Sequence, residues 1–148
     1  MSTPRDPFER LVDEVAHGGG SAPVWGQHRG HGYGRARGFN ERRFAKRLRE
    51  YWGADADPMR VQLAQADARF VAGVVRMVGD ELRLSPEDRR RVCAGAVRSR
   101  LLGEDDPFMA PVDAAWRAWW PPAPGPEGRE RLQEFLDAWR AWLQQTAP

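Results

Sequence analysis

The sequence predicts an all-α fold: a single helical bundle of five or six helices, with a Gly/Arg-rich arm or long loop after the first. Three observations predict it. A capping side chain precedes proline at Asp6-Pro7, Asp57-Pro58 and Ser85-Pro86, where proline's missing N–H costs a first helical turn nothing. Apolar residues recur at spacings of three and four along most of the chain, the period of a helix with one buried face. No segment alternates with the period of two that a half-buried strand requires.

The first helix starts at the Asp6-Pro7 cap, carries Phe8, Leu11, Val12 and Val15 on one stripe, and ends at His17 before Gly18-Gly19-Gly20. Residues 18–38 contain eight glycines and show no period, so they read as a loop or arm; an insertion of that length inside a compact unit usually carries function or acts as a linker. A second helix runs from about Asn40 to Trp52. Turned at 100° per residue, it puts Phe44, Leu48, Tyr51 and Trp52 on one side and Arg42, Arg43, Lys46, Arg47 and Arg49 on the other.

The third helix, about Pro58 to Leu84, is the longest. Val61, Ala64, Ala68, Val71, Val75, Val78 and Leu82 form a heptad seam, while Leu63, Phe70, Val74 and Met77 lie opposite. Apolar on two sides, this helix belongs at the centre of the bundle. The polar stripe left over bears Arg69, Arg76 and Arg83, read as a solvated seam. The fourth helix, about Pro86 to Leu102, carries Arg89, Arg90 and Arg91, which would extend a basic surface.

A short helix from about Pro111 to Trp120 groups Val112, Trp116 and Trp119 and stops at Pro121-Pro122. After the stiff connector PPAPGPEG, a last helix from about Glu127 to Gln145 aligns Leu132, Phe135, Leu136, Trp139, Trp142 and Leu143. DAAWRAWW and LDAWRAWL echo each other across these two helices. Two unequal copies do not make a solenoid, and the area a tryptophan buries favours core packing over an aromatic docking surface. The organisation expected is therefore an N-terminal amphipathic helix (1–17), a Gly-rich basic arm (18–38) and a helical domain (39–148).

Composition narrows the function. A chain of 148 residues, 41% hydrophobic and 30% charged, is ordinary for one globular unit with a core of its own. Cys93 stands alone, which excludes an internal disulfide and a cysteine-based zinc site. No run reaches the length of a spanning helix, and the opening MSTPRDPFERLVDEV reads as neither a secretory signal nor a transit peptide. A cytoplasmic protein with no membrane partner is the expectation.

Catalytic patterns fail in turn. His17-Gly18-Gly19-Gly20 has the look of an oxyanion loop, but no G-x-S-x-G elbow accompanies it. His28 and His31, with His17, could offer imidazoles to a metal, yet the surrounding glycines supply neither fixed geometry nor supporting bonds. Phosphate-binding and dinucleotide glycine loops are missing. A non-enzymatic protein without cofactor or metal is expected.

The charge pattern points elsewhere. Net charge is only +2, yet residues 15–49 hold eight basic side chains against Glu41 alone. Of the 23 basic residues 22 are arginine, so clustering carries the signal rather than number. In WGQHRGHGYGRARGF, glycine lets backbone approach a ligand closely, arginine offers planar contacts to phosphate, and aromatic rings can stack on bases. The candidate nucleic-acid-binding residues are Trp25, Arg29, Tyr33, Arg35 and Arg37 in the arm, with Arg42, Arg43, Lys46, Arg47 and Arg49 on the helix.

The leading expectation is an accessory subunit of a nucleoprotein assembly that contacts RNA or single-stranded DNA, with protein partners in a larger complex. In general character it is similar to small helical subunits of CRISPR effector complexes, a likeness of architecture and not of motif. The alternative is a protein–protein adaptor or assembly factor of phage or secretion type, using the heptad seam or the tryptophan faces.

Overall fold

A computed structural model of the chain describes residues 6–18 and 39–148. Among the described residues there are six α-helices and no strand: α1 (Pro7–Gly18), α2 (Glu41–Trp52), α3 (Pro58–Glu81), α4 (Pro86–Ala96), α5 (Ala110–Trp119) and α6 (Gly125–Gln145). The caps form where the sequence places them. Asp6 accepts from the Glu9 amide at 2.8 Å, Asp57 from Met59 at 3.0 Å and Ser85 from Asp88 at 3.1 Å, and Asn40 caps α2 through the Arg43 amide at 2.9 Å.

Helix α3 occupies the middle and touches α1, α2, α4 and α6. Its seam residues Val61, Ala64, Ala68, Val71, Val75 and Val78 are all buried. Cross-contacts set the helix directions. Glu14 meets Arg43 while Arg10 meets Glu50, so α1 and α2 run antiparallel. Glu41 meets Arg69 while Trp52 lies under Arg60, so α2 and α3 do as well. Leu11, Val12 and Val15 of α1 are fully buried in the same apolar cluster as the rest. The first helix is thus one wall of the bundle.

Three details depart from the sequence expectation. The second apolar face of α3 is covered only in its C-terminal half: Val74 and Met77 are buried, but Leu63 is 61% exposed. The fourth helix does not run on regularly to Leu102 but switches to a π-helical turn over Val97–Leu101. Helix α3 ends at Glu81, and Arg83 follows in the left-handed region at φ 52°. There the Leu84 amide bonds back to the Gly79 carbonyl at 3.0 Å, a Schellman-type closure that normally employs glycine.

The tryptophans form the second half of the core. Trp116, Trp119, Trp139 and Trp142 are all buried. Phe135 lies between them, stacked on Trp119 at 4.9 Å and edge-on to Trp116 at 5.1 Å, both favourable ring geometries. The repeated AWRAW words therefore mark two helices pressing aromatic faces on each other, and the heptad seam and these faces are buried within the bundle. Trp142 also sets the spacing to α4. A side chain at Gly95 would fall 2.9 Å from its ring and from the Met109 methyl, so only glycine lets the helices approach this closely.

A candidate nucleic-acid interface on the outer face of α2

Of the candidate residues, Trp25, Arg29, Tyr33, Arg35 and Arg37 lie outside the described residues, as do His28 and His31. The five cations of α2 are described, and they divide into two sets.

Arg43 and Arg47 face α1. The Arg43 Nε donates to both oxygens of Glu14, at 2.6 and 2.8 Å. Arg47 donates through Nη1 to Glu50 at 3.0 Å, and its buried Nε stands 3.5 Å from Glu14. That is ion-pair distance without the alignment of a hydrogen bond. Arg10 completes the network with a 3.0 Å bond to Glu50. This bond, with support from Arg47, holds the Glu50 carboxyl below its ordinary value against the opposing pull of burial. These two arginines are fastened to the fold.

Arg42, Lys46 and Arg49 are exposed and form no ion pair among the described residues. On a helical wheel they span only about 60° opposite the buried Phe44, Ala45 and Leu48. Glu41, next to Arg42, pairs with Arg69 of α3, and Glu50, next to Arg49, is taken up by Arg10 and Arg47. The outer face of α2 therefore presents three cations in one row without an ion pair among the described residues.

The arginine cluster of α4 behaves differently from its sequence reading. Arg89 bonds Asp80 at 2.8 Å, Arg90 bonds Asp13 at 2.8 Å and also Glu9, and Arg91 bonds Asp88 at 3.0 Å and the Leu143 carbonyl at 2.9 Å. They clamp α4 to α3, α1 and α6 and do not extend a basic surface. Of the α3 stripe, Arg69 and Arg76 are likewise paired, with Glu41 and Asp80.

Sequence reasoning did not single out Arg60. Its guanidinium carbon sits 3.9 Å over the Trp52 ring, and Nη2 reaches the Leu102 carbonyl at 3.4 Å. Trp52 lies one turn beyond Arg49, its i+3 neighbour, at the border between the cation row and the buried face of α2. Beside Arg60 on α3, Met59 and Leu63 are 59% and 61% exposed. The stack joins residues eight apart across a turn, and no local spacing rule would have found it.

Among the described residues no group of three or more His, Cys, Asp or Glu gathers as a metal site would, and no helix is long and apolar enough to cross a membrane. Cys93 is buried against the Val12 carbonyl, and burial pushes its thiol up to about 12, far from the range of a reactive thiolate. Comparison with protein families, with characterised proteins and with solved structures returns no match to this chain.

Proposed function

We propose that this chain is a non-enzymatic helical subunit of a nucleoprotein assembly, and that it contacts the backbone of RNA or DNA through the outer face of α2. The observation that carries the reading is the division of the α2 cations. Two are consumed by carboxylates of the fold, while Arg42, Lys46 and Arg49 form a row without one among the described residues. A helix face whose charges are all internally matched gains little from a polyanion. Unmatched arginine and lysine in a row release condensed counterions when they meet phosphates. The support is strengthened by sequence continuity, since residues 18–38 add Arg29, Arg35 and Arg37 and no acid immediately before α2.

The mechanism is backbone positioning with little base readout. Its test is fluorescence anisotropy with labelled single- and double-stranded RNA and DNA over a salt series. Wild type should bind with an affinity that falls steeply with salt. Changing Arg42, Lys46 and Arg49 together to Ala should flatten the slope of log affinity against log salt by about 2 to 3, the value for three phosphate contacts. Arg43→Ala, which breaks an internal pair, should leave that slope nearly unchanged. Absence of any binding at about 50 mM salt, where phosphate contacts are strongest, would sink the reading. A second reading, a protein–protein adaptor, draws on the exposed Met59, Leu63 and Phe108, and would then take precedence.

A further inference from the structure

The geometry points to a stacking platform for an unpaired base at the end of α2, built from Trp52 and Arg60 and bordered by Met59 and Leu63. It rests on the backbone contact proposed above and selects single-stranded nucleic acid as the ligand class.

The cation row ends at Arg49, and Trp52 follows it by one turn, about 15 Å along α2 from Arg42. Trp52 carries the Arg60 guanidinium in van der Waals contact with its ring. The Leu102 carbonyl holds a second edge of that guanidinium, and no acid forms an ion pair with it among the described residues. One face of Arg60 is thus backed by an indole, its edge is tethered, and the residue is nonetheless exposed. A planar cation fixed in this way is a surface on which bases stack, and the ordering entropy of its long side chain has been lost in advance.

What lies next to it discriminates between strands. Arg60 and Leu63 are one turn apart on α3, and Met59 and Leu63 are i and i+4 neighbours. They leave two large apolar side chains in water beside Arg60. A duplex keeps its base faces stacked inside and presents phosphates to this surface, so Met59 and Leu63 would gain nothing from it. A single strand tracking the cations can turn a base onto Arg60 and cover the neighbouring apolar surface. The same row thus supplies sequence-independent attraction, and the platform adds affinity for unpaired bases.

The experiment uses the full chain and labelled oligouridylate and oligothymidylate, against a blunt duplex of the same length. Wild type should prefer the single strands by about tenfold or more, the worth of one stacked base. Arg60→Lys retains the charge and loses the plane. It should remove most of that preference, about five- to tenfold in single-strand affinity, with duplex affinity and salt slope unchanged. Leu63→Ala, on an exposed position, should lower single-strand affinity alone and by less. Equal binding of single strand and duplex by wild type would overturn the platform and leave the cation row standing. So would an Arg60→Lys protein that melts lower but binds both ligands as before, since the stack would then only hold α2 to α3. If wild type binds neither ligand at low salt, the platform and the backbone contact fall together.

Discussion

Between α1 and α2, Arg10, Arg43 and Arg47 meet Glu14 and Glu50 in one connected network of partly exposed charges. Between α5 and α6, Trp116, Trp119, Trp139 and Trp142 interlock around Phe135 and exclude water. Arginine serves both regions, but not in the same way. On the first it is half of an ion pair. On the second it lies over a ring, as Arg100 does 4.6 Å over Trp116, where burial draws its pKa down. The aromatic side draws its cohesion from area removed from water, which salt does not weaken. The charged side orients α1 and uses up the inward cations of α2, which leaves the outer three without an ion pair among the described residues. Partly exposed pairs contribute modestly and are screened.

That contrast can be broken most forcefully at Trp139, which is fully buried. Trp139→Ala should cost about 3–5 kcal/mol in urea unfolding, with the same loss at low and at high salt. A loss that shrinks strongly in salt would mean that the two halves are not held by different forces.

On the other side, Glu14→Gln removes the carboxylate shared by Arg43 and Arg47. The expected cost is about 1–2 kcal/mol at low salt, falling towards zero at about 1 M salt. If the cost persists there, the network owes its strength to burial rather than charge.

Arg83 is a control that belongs to neither mechanism. Its left-handed backbone strains any side chain with a Cβ, so Arg83→Gly should raise stability by about 1 kcal/mol at every salt concentration. Thermal unfolding reads this directly.

The smallest effect concerns acid. The hydrogen bond from Arg10 depresses Glu50 below its ordinary value of 4.5, so its share of the network is complete above that pH. The share disappears as pH falls through the lowered folded value. Amide exchange in α1 should quicken in that window before exchange in α6 does. Simultaneous loosening of both helices would show that α1 is not specifically secured by charge.

Much of the architecture was legible because its signals are local. Asp57 and Ser85 cap their helices through amides two and three residues away, and the heptad seam of α3 follows from spacing alone. Arginine pairing was not legible, because the partners are distant in the chain. Arg43 finds Glu14 across 29 residues, and Arg90 finds Asp13 across 77. Leu63 illustrates the same limit. Its period matches that of the buried Val74 and Met77, yet burial requires a neighbour, and Leu63 is left in water.

By itself, then, the amino-acid order determined the helices, their starts, the apolar stripes and the concentration of positive charge in residues 15–49. Those depend on capping, periodicity and composition, all contained within a few turns. Only the tertiary structure decided which cations remain unpaired, because neutralisation depends on which helices lie side by side. It alone placed Arg60 on Trp52, a contact between two helix ends that exists only once α2 and α3 have folded against each other.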